Sequence, residues 1–278
     1  MNDTLQESGK LIRLQDNTFI NVFRLEDVDD VLFNNYQRYD FFQLIWFTEV
    51  VGEVAYFLDF DEYILEKDNM VLVFPGQIDK MDVDGKKGYL FTIENNLFFD
   101  INNRLGSDLL NGYYGNVFLK VNEETGKQLK TLTNLLSDEI DREKRFPLLR
   151  SYMESILFHF SALFDATGEA GEKTDTRVGK LMRLIDRHFM THRETDFYAG
   201  ELNLTHKQLN IITQKGTGKT VKQHLQERLI LEMKKEIRLG AKNLKEIAFD
   251  LGFSEPAYFT RFFKQHTSQT PTEFRDQQ

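Results

Sequence analysis

Two short constellations combine residue types that can do chemistry at their spacing. Gly216-Thr217-Gly218-Lys219-Thr220 is similar to the end of a phosphate-binding loop, where backbone amides and a lysine hold phosphate oxygens. That loop needs a glycine five positions before Gly218, and Thr213 stands there, preceded by helical rather than strand pattern. His188 and His192 lie four apart, as two metal ligands on one helix face do. No third ligand accompanies them, so they read as structural or surface histidines. The chain has no cysteine, which removes disulfides, thiolate metal sites and cysteine nucleophiles together. His159 is the sole histidine before Arg177 and lies in a helical stretch, which leaves the first half without histidine ligands. Asp59, Asp61 and Glu62 read as solvated hairpin carboxylates. The expectation is a non-enzyme with no catalytic residues, no metal and no cofactor.

Charge points elsewhere. The 278 residues carry a net −9, but unevenly. Residues 176–278 hold 18 Lys and Arg against 12 Asp and Glu, a net of +6. Residues 1–175 hold 17 basic and 32 acidic residues, a net of −15. Phosphate attraction is local, so a basic C-terminal half can bind nucleic acid despite the acidic total. No run of eighteen apolar residues marks a membrane span, and the polar start, Met1 to Lys10, is unlike a secretory signal. A cytoplasmic protein with no membrane partner is expected.

The elements that would position any site fall into two patterns. Residues from about 19 to 120 read mostly as strands. Phe41 to Phe47 is aromatic and branched, Val54, Tyr56, Leu58 and Phe60 alternate, and Met70 to Phe74 runs into Pro75-Gly76. Short strands at this spacing predict a small barrel or sandwich. Leu129, Leu132, Leu135, Leu136 and Ile140, then Met153, Ile156, Leu157, Phe160 and Phe164, recur at helical steps on either side of Pro147. Residues 167–176, with two glycines, read as a linker. Everything after Arg177 reads as helix, with breaks at Asn203, Gly216 to Gly218, Gly240, Gly252 and Pro271.

The helical part contains an internal repeat. Ala199 to Thr205 (AGELNLT) aligns with Ala248 to Ser254 (AFDLGFS) at an offset of 49 residues. A small residue lets two helices cross closely. Asn203 and Gly252 sit at a turn where positive φ is tolerated by both types. Leu204 and Phe253 follow as buried positions, then Thr205 and Ser254 as hydroxyl N-caps. Leu209 to Ile212 then matches Phe259 to Phe262 at offset 50. Between the units, Val221, Leu225, Leu229, Ile230, Met233 and Ile237 form one stripe on a helix of about twenty residues, about 30 Å long. Successive major-groove faces on one side of B-DNA are about 34 Å apart, so such a helix can present two recognition helices to adjacent grooves.

Leu244 to Gln265 (LKEIAFDLGFSEPAYFTRFFKQ), followed by Thr270 to Arg275 (TPTEFR), resembles the signature of AraC/XylS-type transcriptional regulators, and the likeness covers about residues 177–276. Phe41 to Trp46 and Phe74 to Gln77 are similar, more loosely, to the cupin-like sensory domain of such bacterial regulators. The resemblance implies an α+β multidomain fold. Its parts are a cupin-like β-barrel over 1–128 with trailing helices, a helical dimerisation segment over 129–166, the linker over 167–176, and an all-α double helix-turn-helix domain over 177–278. The two motifs fall at about 196–215 and 244–266. It implies a sequence-specific regulator of transcription that binds double-stranded promoter or operator DNA as a homodimer, with an N-terminal domain that senses a small-molecule effector or mediates dimerisation, and with RNA polymerase as a further partner.

The resemblance also assigns roles. Base-facing positions fall on Lys207, Asn210 and Ile211 in the first motif and on Pro256, Ala257, Thr260 and Arg261 in the second. Arginine bonds guanine bidentately and asparagine bonds adenine so. Thr205, Lys215, Ser254 and Lys264 fall where phosphates are held, and Lys207 suits a phosphate too. Ile211 replaces a common arginine and Pro256 lacks a side-chain donor. Phe41, Phe42, Trp46, Tyr56 and Phe74 either line a ligand cavity or fill the barrel core, and small barrels are packed by such side chains. Two rival readings stay open: a ligand-binding cupin-like protein or enzyme whose C-terminal domain serves protein contacts, and a barrel that is purely structural.

Overall fold

The computed structural model describes residues 5–8, 11–14, 18–28, 33–106, 117–167 and 176–276. The chain divides into two compact units, Met1–Ala170 and Gly171–Gln278. Most of the expected linker, residues 168–175, lies outside the described residues. So do Met1 to Thr4, Gly9 and Lys10 of the expected polar start.

In the first unit the strands are β1 Leu5–Ser8, β2 Leu11–Leu14, β3 Ile20–Arg24, β4 Gln37–Tyr39, β5 Phe42–Val50, β6 Ala55–Leu58, β7 Asp61–Ile64, β8 Asn69–Val73, β9 Ile78–Met81, β10 Lys86–Ile93 and β11 Val117–Lys120. They form two sheets, β1-β2-β4-β9-β6-β7 and β11-β8-β5-β10-β3. Among the described residues three α-helices accompany them: α1 Asn95–Leu105, α2 Glu123–Asp141 and α3 Phe146–Ala166. The fold class is the one expected, β layers with trailing helices and then an all-α unit.

Strand β5 explains why this half reads as runs rather than clean alternation. Six consecutive residues from Phe42 to Phe47 are buried. Phe42, Leu44 and Trp46 join a core with Leu129, Leu136, Met153 and Phe160 of the helices. Ile45 and Phe47 face the other way, into a core with Tyr56, Leu58 and Met81 of the opposite sheet. A strand covered on both faces reads as a near-continuous apolar run, here with Gln43 as the one polar member of the six. Strand β6 does alternate, with Tyr56 and Leu58 buried between half-buried neighbours, but Phe60 falls out of the pattern: it shares the β6–β7 turn with Asp59, both at positive φ, 76° and 50°. The α2–α3 turn is fixed by Glu139, whose carboxylate accepts from the Arg145 backbone N at 2.8 Å and from Nε and Nη2 at 3.0 and 2.8 Å.

The second unit holds α4 Thr176–His188, α5 Thr195–Glu201, α6 His206–Thr217, α7 Val221–Leu239, α8 Leu244–Asp250, α9 Pro256–Thr267 and α10 Pro271–Asp276. Its core is the expected stripe of α7, with Val221, Leu225, Leu229, Met233 and Ile237 buried and Ile230 half-buried. The break between α4 and α5 is not marked by glycine or proline and escapes the sequence pattern. Gly216 continues α6, and Gly218 ends it with φ 72°. Pro271 starts α10 rather than breaking a helix, since a helix's first turn needs no N–H there. Among the described residues no helix is long and apolar enough to cross a membrane.

Candidate nucleic-acid interface

Each repeat folds as two helices around a tight turn: α5 and α6, then α8 and α9. Ala199 and Ala248 are buried where the helices cross. Asn203 and Gly252 take φ 53° and 73°, the left-handed region the turn requires. The backbone repeats too: Leu204 N donates to Ala199 O and Phe253 N to Ala248 O, both at 2.9 Å. Phe253 is buried as expected, whereas Leu204 is only half-buried.

The caps differ between motifs. Thr205 accepts from Gln208 N at 3.2 Å, and the Gln208 side chain returns to Thr205 N, a reciprocal capping box. Ser254 does not cap α9. The N-cap is Glu255, without a side-chain bond, because one extra residue lies between turn and helix. Pro256 at the first position presents no N–H of its own.

The recognition helices expose one face each. On α6 this face carries Lys207, Ile211, Gln214 and Lys215, and Ile211 is 55% exposed. On α9 it carries Ala257, Tyr258, Arg261, Lys264 and Gln265. Lys207, Lys215 and Arg261 have no ion-pair or hydrogen-bond partner among the described residues. Two cations elsewhere in the unit are occupied: Lys219 with Glu227 at 2.8 Å, Lys242 with Asp250 at 2.7 Å. Pro256 and Thr260 are half-buried at the edge, and Thr260 Oγ1 donates to Pro256 O at 3.1 Å. Asn210 is committed inward: its Nδ2 donates to His206 O at 3.2 Å and its Oδ1 accepts from Val221 N at 3.1 Å, tying α6 to the start of α7. That amide is not presented for bidentate contact with adenine. Gln214, Tyr258 and Gln265 were not among the expected positions. Stepping seven residues on from Lys207, and from Tyr258 to Gln265, finds two of them on the same faces.

The connecting helix α7 has 19 residues, so it is about 28 Å long. Arg228 fastens it to α4, donating to Asp186 at 2.6 Å and to Glu232 at 2.8 Å. Burial alone would lower the Arg228 pKa, but the carboxylates of Glu232 and Asp186 outweigh it and hold the guanidinium charged. The phosphate-loop-like stretch is the end of α6 and the cap of α7, where Thr220 forms a second capping box with Gln223. His188 ends α4, and His192 lies beyond it, stacked on Phe197 at 3.8 Å.

The five aromatic residues named for either a cavity or the core are all buried and fall in three clusters: Phe42, Trp46 and Phe74 lie in the core between sheet and helices, Tyr56 between the sheets, and Phe41 in a third cluster with Tyr39. Tyr56 donates to Asp79 Oδ2 at 3.0 Å. Burial pushes the Asp79 carboxyl up to about 7; the Tyr56 hydrogen bond opposes this and the charge of Asp59 adds to it.

Comparison with known proteins agrees with this geometry. Residues 198–277 match the family model described as a helix-turn-helix domain. The chain is 26% identical over 161 residues to the HTH-type transcriptional activator RhaR of Mannheimia succiniciproducens, covering 56% of this chain and 57% of that protein. It is 37% identical over 59 residues to the probable transcription factor PqrA of Proteus vulgaris, covering 21% and 48%. The chain thus spans about half the length of these curated relatives. Among solved structures, ToxT of Vibrio cholerae aligns with a TM-score of 0.45 and 14% identity over 92% of this chain and 97% of that one. The C-terminal unit is a helix-turn-helix domain. It is of the AraC type, the DNA-binding domain of AraC-family regulators.

Proposed function

We propose that the protein is a transcriptional regulator that binds double-stranded promoter DNA in a sequence-specific way through α6 and α9. The observation that carries this reading is the pair of exposed recognition faces with unpaired cations, joined by a helix whose length suits adjacent major grooves. Arg261 and Ala257 read base edges, while Lys207, Lys215 and Lys264 hold phosphates, with the exposed hydroxyls of Thr205 and Ser254 beside the backbone. Ile211 contributes apolar contact with a thymine methyl. Binding of the purified protein to promoter fragments, set against random DNA at rising salt, tests it. Equal binding to both at every salt concentration removes the claim of specificity.

The first unit acts as the sensing or dimerising part. Sensing is supported by buried polar groups without a partner among the described residues: both ends of the Gln43 amide, Thr92 Oγ1 and Asp79 Oδ1. An unpaired buried group costs about 1–3 kcal/mol, so a polar ligand or water there is favoured. Dimerisation is supported by Leu135, Phe146 and Phe158 on α2 and α3, the last 56% exposed. The protein acts as a homodimer in the cytoplasm, without catalysis, and meets RNA polymerase at the promoter. A thermal-shift screen and sedimentation at several concentrations separate sensing from dimerisation.

A further inference from the structure

Arg193 lies outside both helix-turn-helix motifs, in the segment between α4 and α5 that leads into the first. Its partners, Leu251 and Phe253, flank the turn of the second, the former 58 residues away. Nη2 donates to the carbonyl of Leu251, the C-cap residue of α8. The guanidinium also sits 4.5 Å from the centre of the Phe253 ring. The two backbones are close as well: a Cβ on Gly252 would stand 3.0 Å from Met190 O and 3.4 Å from the Arg193 guanidinium. A helix-end carbonyl, an aromatic face and a side-chain-free position therefore converge on one arginine.

We infer that Arg193 is a positioning residue that fixes the separation at which the two recognition helices meet DNA. Apart from it, the two motifs are linked through α7 and through the close approach of the Met190 carbonyl to Gly252. α7 ends at Gly240, at φ 61°, before the short link to α8. Phe274 of α10 anchors the far side of the second motif to α7, with the Arg238 guanidinium 4.8 Å from its ring. Nothing in that contact restrains the turn itself. Arg193 does, because it grips Leu251 and Phe253 on either side of Gly252. One base pair added between half-sites shifts the second groove by about 3.4 Å and turns it by about a tenth of a helical turn. A clasped pair of motifs rejects that shift; a hinged pair follows it. The inference rests on the DNA-binding reading above.

The test selects bound duplexes from a random-sequence library with the full chain, wild type and Arg193→Met, and sequences them. The wild type is expected to enrich two half-motifs at one separation. Arg193→Met is expected to enrich the same half-motifs at several separations. In a direct titration, the wild type should lose about tenfold in affinity for a site one base pair too long, the scale of one mismatched base pair, and the variant should lose less than threefold. If Arg193→Met does not fold, Arg193→Lys decides, since it keeps the charge and stem but cannot serve carbonyl and ring together. A single retained separation in the folded variant overturns the inference. No enriched motif with the wild type overturns the DNA-binding reading itself, and the inference with it.

Discussion

Arg261 stands on the outward face of α9 with its guanidinium uncommitted, so its substitution should change which sequence is preferred. Arg261→Ala is expected to weaken binding to the best site by about 1–3 kcal/mol and to leave binding to random DNA nearly unchanged. Competition titrations against single-base variants of that site check this. Asp79 makes a different prediction. Its folded pKa of about 7 lies above the ordinary carboxylate value, so between about pH 4 and 7 the folded state holds a proton that the unfolded state has released. Stability therefore falls as pH rises through that window and levels off above it, by an amount on the order of 4 kcal/mol at most. Asp79→Asn is expected to flatten the curve and to be the more stable protein at pH 8. Urea midpoints at pH 5 and pH 8 for both proteins give the answer.

At the scale of elements, the legible parts are those where one local rule acts alone. The turns at Asn203 and Gly252 and the stripe of α7 follow from φ tolerance and helical period. What stays hidden depends on two rules competing or on contacts distant in sequence. Helix α1, rich in asparagine, has weak propensity and is held by Glu94, which caps Asn96 and Leu97 at 3.0 and 2.9 Å. The α4–α5 break owes its shape to packing rather than to a breaker residue. Ser254 matches Thr205 by alignment, yet the residue inserted after it moves the cap to Glu255. The site positions were legible as a helix face, but Asn210 was not recognisable as a link to Val221, 11 residues on. The cap difference is measurable. Thr205→Ala should cost about 1 kcal/mol of stability, and Ser254→Ala only a few tenths. Equal losses in thermal melts would contradict the asymmetry. Gly252→Ala should cost more than either, because φ 73° and the Met190 carbonyl both oppose a Cβ.

For the whole molecule, the question is how a chain of net −9 would hold a polyanion, as the proposed function requires. Only charges within about a Debye length of the phosphates count, and at physiological salt that is about 8 Å. The +6 of residues 176–278 belongs to the unit that carries the proposed recognition helices, whereas the −15 belongs to residues 1–175. Affinity should therefore fall steeply with salt, as for any protein that displaces counterions. Lys215, exposed and unpaired near the end of α6, should be one contributor. Lys215→Gln is expected to reduce the slope of log K against log salt by about 1 and to weaken all sequences alike. Arg261→Ala should instead change the ranking of sequences. Measured side by side, the two variants separate the holding of DNA from the reading of it; if both moved the ranking equally, the division of labour between the phosphate and base positions would be wrong.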